Sequence, residues 1–276
     1  MVRPSVMSRD IETGRVEGAG VQDLVDIVWD GVLNGRFDAS PLSGRLSVDE
    51  GEQVQLSVLS RWEERGRKRA GWKVGLTSGE VRDSFGPGVR PFGFLLDERV
   101  FASGATIDLR ELSRAGLETE LCFRINARLS GPGVDAGEVA RSVESVAAAF
   151  EINEGRIDGP QEPGIRVADN LTQWGVVLGE PVTPVPNRAV FDSTVSTLSR
   201  DGELLQSVPA AGHIDDHFLS IARLAHQLSK FGLAVEAGDL VITGSFTRVR
   251  PGLPSGAYVG EFSGIGEVRV KFTDGT

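Results

Sequence analysis

Leu117-Glu118-Thr119-Glu120-Leu121-Cys122-Phe123-Arg124-Ile125 is the most informative stretch of the 276-residue chain. Leu117, Leu121, Phe123 and Ile125 fall on one face by strict period two, continued by Ala127 and Leu129, while Glu118, Glu120, Cys122 and Arg124 fall on the other. The pattern predicts a β-strand over 117–129. Residues i and i+2 of a strand lie about 6.5–7 Å apart, from a rise of about 3.3 Å per residue. Two carboxylates at that separation on one face can converge on a hard divalent cation, Mg²⁺ or Mn²⁺, both of which favour oxygen ligands. The same spacing also describes a half-exposed strand with two solvated glutamates. A second acidic position bears on the choice. In Ala149-Phe150-Glu151-Ile152-Asn153, Glu151 sits between two bulky apolar residues, where a carboxylate needs a metal or a partner such as Arg156 or a backbone amide.

Outward from this strand, short β-like runs recur at Trp72–Leu76, Phe92–Leu96, Trp174–Leu178, Val190–Leu198, Leu240–Thr243, Tyr258–Phe262 and Val268–Phe272. Asp201-Gly202 has the form of a two-residue hairpin turn. Two helices interrupt the runs. One starts at Asp135, boxed by Glu138, with Val139, Val143 and Val146 in helical spacing; the other runs from about His213 to Phe231 and stops at Gly232. Ahead of residue 70 the text is helical: Val21, Leu24, Val25, Val28 and Val32 form one stripe, and Ser47 with Glu50 boxes a second helix to about Arg65. Residues 1–19 read as a loose tail. The basic run Arg65–Arg69 reads as a solvated turn or an anion patch. Strands outnumber helices without alternating with them, so the fold class is α+β and β-rich rather than a doubly wound parallel sheet. The expected organisation is a tail and helical segment over 1–70 and a catalytic domain over 71–276.

Composition narrows the function classes. With 29 Lys+Arg against 39 Asp+Glu the formal charge is −10, which argues against nucleic acid as a partner. An apolar fraction of 40% supports a real core. One cysteine, Cys122, excludes an internal disulfide and any multi-cysteine metal site. No apolar run approaches the roughly 20 residues of a spanning helix, and no signal-peptide pattern opens the chain, so a soluble cytoplasmic protein without a membrane partner is expected. The three histidines, His213, His217 and His226, lie on or beside the late helix and read as surface or interface residues, with His213 a pocket candidate.

Seven motifs in order resemble the 2-keto-4-pentenoate hydratase and 4-oxalocrotonate decarboxylase branch of the fumarylacetoacetate hydrolase superfamily. They are Gly71-Trp72-Lys73-Val74-Gly75-Leu76-Thr77-Ser78, Phe92-Gly93-Phe94-Leu95-Leu96-Asp97, Glu118-Thr119-Glu120, Phe150-Glu151-Ile152, Val167-Ala168-Asp169-Asn170, Gly244-Ser245-Phe246-Thr247-Arg248 and Phe262-Ser263-Gly264-Ile265-Gly266. The resemblance covers about residues 48–273. It implies a fumarylacetoacetase C-terminal-domain-like mixed β-roll with an N-terminal helical segment. It also implies that Glu118, Glu120 and Glu151 hold Mg²⁺ or Mn²⁺, that Lys73 contacts substrate and moves protons with Asp97 beside it, and that Asn170 and Ser245 line the pocket. The implied substrate is a small 2-oxo or 2-hydroxydienoic acid, and the family usually forms homo-oligomers, some members pairing with a pathway enzyme.

Each of these residues also has a plainer reading. Lys73 could snorkel from a strand edge, Asp97-Glu98 could form a turn, Asn170 and Ser245 could cap turns, and Cys122 suits small packing better than nucleophilic attack. The sequence departs from the family pattern at Glu154 and Gly155, at Leu171, Thr172, Gln173 and Trp174 after the Asp-Asn pair, at Ile214 after Gly212-His213, and in the loop 86–91. These changes flank the pocket more than the carboxylates, so they bear on substrate identity. The preferred expectation is a hydratase, with a decarboxylase next. A C–C hydrolase is disfavoured because its His–Glu dyad has no histidine before residue 213 to draw on, and retention of Lys73, Asp97 and the three glutamates argues against a non-catalytic subunit.

Overall fold

A computed structural model describes residues 19–275; the tail expected over 1–19 lies, up to residue 18, outside the described residues, as does the side chain of Val21. Leu24, Val25 and Val28 bury one stripe of α1 (Ala19–Asn34). After the short β1 (Phe37–Asp38), Ser47 caps α2 (Val48–Glu64). Its hydroxyl accepts the Glu50 amide while its own amide donates to Glu50 Oε2 at 2.8 Å, the expected capping box. Trp29 of α1 meets Trp62 of α2 edge to face at 4.9 Å.

The strands follow as β2 (Arg69–Val74), β3 (Phe92–Leu96), β4 (Val100–Ala102), β5 (Ala105–Asp108), β6 (Ala115–Ile125), β7 (Val143–Glu154), β8 (Ile157–Asp158), β9 (Gln173–Leu178), β10 (Val195–Arg200), β11 (Glu203–Pro209), β12 (Leu240–Val249), β13 (Gly256–Phe262) and β14 (Gly266–Thr273). Between them lie α3 (Ala136–Ser142), α4 (Pro163–Ala168), α5 (Arg188–Ser193) and α6 (His217–Ser229). Seven strands form a mixed sheet in the order β3-β2-β12-β6-β7-β9-β4; five form a second, β11-β10-β13-β14-β5; β1 and β8 pair separately. This is the mixed, strand-rich α+β architecture expected. The Asp201-Gly202 hairpin is present between β10 and β11, with both residues at positive φ and Arg200 facing Glu203. No helix among the described residues is long and apolar enough to cross a membrane.

Two readings are corrected. Val143 and Val146 belong to β7, because the helix capped by Asp135 ends at Ser142. β7 is central and buried on both faces, so its Val-Ala-Ala-Ala-Phe run carries no period-two alternation. The run Val190–Leu198 divides into α5, capped by Asn187, and β10.

The two faces of β6 have different surroundings. Leu117, Leu121, Phe123 and Ile125 are fully buried with Thr119, whose hydroxyl lies 2.9 Å from Ser196 Oγ of the second sheet. The opposite face, with Glu118, Glu120 and Cys122, looks into the concave side of the seven-stranded sheet. There Cys122 joins a small apolar cluster with Leu95, Ala149, Val176, Leu240 and Ile242. Flat strands at about 4.8 Å spacing would place β2 and β7 about 14 Å apart. Curling of the sheet, which brings β3 against β9, closes that gap across the concave side.

Candidate metal and substrate site

Pairing of β6 with β7 sets Glu118 directly opposite Glu151, with Glu120 one pleat further along the same face. One carboxylate oxygen from each of Glu118, Glu120 and Glu151 lies within 4.8 Å of the others. All three side chains are buried, with relative exposures of 9%, 2% and 0%. That burial decides between the two readings of the strand: these are not solvated glutamates. Arg156, the alternative partner for Glu151, instead bonds Asp169 at 2.7 Å and Glu154 at 2.9 Å.

Two cations and one amide meet this cluster. Lys73 Nζ pairs with Glu151 Oε1 and also donates to the Leu171 carbonyl at 3.3 Å. Its stem fits because residue 93 is glycine: a Cβ there would stand 2.8 Å from Lys73 Cγ. Arg248, opposite Glu118 on β12, pairs with it and donates to Ser245 Oγ at 3.2 Å. The Gly244 amide donates to Glu120 Oε2 at 2.7 Å. A break in the β12 ladder between Ile242 and Ser245 aims that amide, with Gly244 at φ +128° and its α-carbon so close to Thr77 that a Cβ would fall 1.8 Å from Oγ1.

Three carboxylates against two cations leave an excess of negative charge in a desolvated place. Burial, then the charges of Glu151 and Glu118, hold the Glu120 carboxyl well above its usual range. Burial raises Glu151 as well, opposed by Lys73. Among the described residues, Glu151 Oε2 is buried without a hydrogen-bond partner. A converging set of hard oxygens, an unsatisfied buried oxygen and uncompensated negative charge fit a divalent cation with oxygen preference. The triad opens onto a cavity of about 510 Å³, also bordered by Lys73, Thr77, Ser78, Arg166, Leu171, Thr172 and Ser245. That volume lies in the usual range for a small-molecule site, about 300–1,000 Å³.

Of the residues picked out from sequence, Lys73, Glu118, Glu120, Glu151 and Ser245 share this cavity. Asp97 does not join them. It is exposed in a turn beyond the end of β3, whereas Lys73 faces Gly93 at the other end of that strand, and the carboxylate beside Lys73 is Glu151. Asn170 is buried next to the cavity, but both ends of its amide are taken by the backbone of Phe94, at 2.8 Å and 3.0 Å. It ties β3 to a turn in which Asn170, Leu171 and Thr172 all have positive φ, and that turn presents the Leu171 carbonyl to Lys73. His217 is not a surface residue: it packs between Phe123, Phe191 and Phe246, with Nδ1 2.8 Å from Thr243 Oγ1, and burial lowers its pKa to about 4. Nε2 of His213 is 3.3 Å from the Ser245 carbonyl oxygen, and His213 does not border the cavity. Sequence reasoning missed Arg248 and Arg166. The ladder break at Gly244 hides which side of β12 Arg248 faces, and nothing in the local pattern of α4 marks Arg166.

The fold is shared with a solved protein described as a fumarylacetoacetate isomerase/hydrolase, from Oleispira antarctica, which superposes with a TM-score of 0.56 over 73% of this chain and 92% of that one, at 13% identity. No protein-family model matches the chain. Among curated proteins, 2-keto-4-pentenoate hydratase of Paraburkholderia xenovorans is 30% identical over 229 residues, covering 82% of this chain and 84% of that protein. 4-Oxalocrotonate decarboxylase of Pseudomonas sp. (strain CF600) is 28% identical over 220 residues, 79% and 83% of the two chains. Among solved structures, 4-oxalocrotonate decarboxylase from Pseudomonas putida G7, complexed with magnesium and adipate, superposes with a TM-score of 0.84 over 94% of this chain and 99% of that one, at 23% identity. The chain belongs to the 2-keto-4-pentenoate hydratase and 4-oxalocrotonate decarboxylase family.

Proposed function

We propose that this protein is a divalent-metal-dependent lyase that adds water to a 2-hydroxy-2,4-dienoate to give a 4-hydroxy-2-oxo acid. The observation that carries the reading is the buried convergence of Glu118, Glu120 and Glu151 on one concave face, with Lys73 against them. The three glutamates would hold Mg²⁺ or Mn²⁺, and the solved relative complexed with magnesium supports that choice of ion. When bound there, the cation supplies Lewis-acid polarisation of the adjacent oxo and carboxylate oxygens of a 2-oxo acid.

The remaining tasks fall to the chain. Among the described residues, Lys73 is the cation that reaches both Glu151 and the turn at Leu171, so its Nζ is the atom that gives a proton to, or takes one from, the substrate carbons. Glu151 is its conjugate partner across the pair. Ser78 and Ser245, whose hydroxyl oxygens are 3.4 Å apart, offer donors to the substrate carboxylate. The Gly244 amide fixes the orientation of Glu120. Asn170 and Arg156 act one layer out by holding the turn that carries Leu171; Arg156 donates to the Asp169 carbonyl at 2.9 Å. The described residues that border the cavity fall between 73 and 251, in keeping with a catalytic body over 71–276 and a helical segment ahead of it. The reading includes work as a homo-oligomer, the usual state of the resembled family.

Loss of CO₂ from a 4-oxalocrotonate-type acid is the second reading, favoured by the curated decarboxylase relatives. The test is incubation of the Mg²⁺-loaded protein with 2-hydroxypenta-2,4-dienoate and with 4-oxalocrotonate, with products followed by NMR. Water addition without CO₂ release supports the hydratase; CO₂ release from oxalocrotonate without hydration selects the decarboxylase. Turnover of neither acid overturns both.

A further inference from the structure

Arg166 is the anomaly of the cavity. Lys73 and Arg248, which border the same cavity, are each paired with a carboxylate, Glu151 and Glu118. Arg166 is half-buried on α4 and borders the same cavity, yet among the described residues no carboxylate pairs with it. Its guanidinium carbon stands 5.2 Å from the ring centroid of Phe85, which holds the side chain without neutralising it. A partly desolvated guanidinium without a counter-charge is costly, and the cost is removed when a ligand brings the anion.

Arg166 borders the cavity from α4, while the β6–β12 pairing register orders another of its walls. Glu120 faces Ser245 and Glu118 faces Arg248, and the wall continues outward past Gly116 to the exposed Arg250. Lys73 and the three glutamates are buried, whereas Arg166 is half-buried and Arg248 and Arg250 are exposed; burial, then Arg248, holds the Arg166 pKa below its usual value, opposed by Glu118. The cavity is therefore acidic where the triad and Lys73 meet and cationic towards its rim. A monocarboxylic substrate whose 2-oxo acid end occupies the triad has nothing to offer that rim.

We propose that Arg166 receives a second carboxylate, carried at the end of the substrate remote from its 2-oxo acid group, so that the site selects dicarboxylic over monocarboxylic acids. This rests on the lyase reading for the orientation of the substrate. The planar guanidinium suits a carboxylate through two parallel N–H donors, which a lysine would not reproduce.

The test compares two unreactive probes that share the 2-oxo acid end, 2-oxoadipate and 2-oxohexanoate, by calorimetric titration of the Mg²⁺-loaded full chain. The wild type is expected to bind 2-oxoadipate at least 10-fold more tightly. Arg166→Gln is expected to weaken 2-oxoadipate about 10- to 100-fold and leave 2-oxohexanoate unchanged, as loss of a charged hydrogen bond does. Arg166→Lys keeps the cation and should recover part of the preference, which separates the role from a general structural one. In turnover, Arg166→Gln should raise KM for a dicarboxylic dienoate with little change in kcat. Equal weakening of both probes would assign Arg166 to the shared 2-oxo acid end and overturn the proposal, as would no preference in the wild type. If neither dienoate is turned over while the probe preference and its loss in Arg166→Gln persist, the lyase reading fails and the carboxylate-receiving role of Arg166 stands.

Discussion

Replacing Glu120 by Gln should stabilise the metal-free protein while removing its response to divalent cations. In the native chain the carboxylate oxygens of Glu118, Glu120 and Glu151 lie within 4.8 Å of one another. At that distance and an effective dielectric constant of 20, one pair of carboxylates repels by about 3.5 kcal/mol. Lys73 and Arg248 neutralise two of the three charges, so the uncompensated remainder is one charge, 3 − 2 = 1. Where Glu120 is ionised, above its raised pKa, Gln removes that charge at nearly constant volume. Its amide oxygen can still accept the Gly244 N–H, and its NH₂ can donate to Glu151. The expected gain is about 1–3 kcal/mol, and each kcal/mol raises Tm by about 2–4 °C in a chain of this size.

The pH dependence has a definite sign. Burial and mutual repulsion raise Glu120 and Glu151, so the folded state holds protons that the unfolded state releases. This proton-linked stability is fully present below the usual carboxylate range and is lost as pH rises through the raised values. The loss should be smaller in Glu120→Gln. The assay is thermal melting from pH 5 to 8, with and without Mg²⁺ or Mn²⁺ at 100 times Kd, where a bound ion adds about 2.7 kcal/mol to the wild type. A variant that melts lower than the wild type without metal, or that keeps the full cation-induced rise in Tm, refutes the electrostatic reasoning.

Three further outcomes follow from the same geometry. Lys73→Met strands Glu151 as a buried unpaired carboxylate; a loss of about 3–5 kcal/mol in denaturant unfolding at neutral pH and of about 10²–10⁴ in kcat is expected. Gly244→Ala forces a Cβ to 1.8 Å from Thr77 Oγ1 at φ +128°, so it should lower stability by at least about 2 kcal/mol and weaken cation binding through the displaced Glu120 donor, both readable in one melting series with added Mg²⁺. Cys122 is buried and its thiol is pushed up to about 12, so a disulfide thiol reagent at pH 8 should modify it only after unfolding.

What the sequence made legible follows the strength of local patterns. β6 alternates cleanly because one face meets the second sheet while the other carries Glu118 and Glu120, and its period marked both the strand and the carboxylate pair. β7 lies beside it but is apolar on both faces, so Val143 and Val146 fit a helix as well as a strand. The joining of Glu151 to Glu118 is a matter of sheet register, to which a single strand is blind; only the ordered family motifs anticipated it. Asp97 and Asn170 show the limit of motif transfer. Both occupy family positions, yet one is exposed in a turn and the other spends its amide on Phe94. Arg156 was legible as a cation near Glu151, but its real partners, Glu154 and Asp169, depend on how α4 folds back under the turn at Asn170. The histidine scarcity retains its force, since His217 is buried against aromatics and held to Thr243, a poor position for activating water.

The central claim is that turnover depends on a divalent cation held by Glu118, Glu120 and Glu151. The most direct measurement is an NMR time course with 2-hydroxypenta-2,4-dienoate in the presence of Mg²⁺, then in EDTA, then after Mg²⁺ is restored. Formation of the 4-hydroxy-2-oxo acid that stops in EDTA and resumes with Mg²⁺ is the expected result; full hydration in EDTA would contradict it.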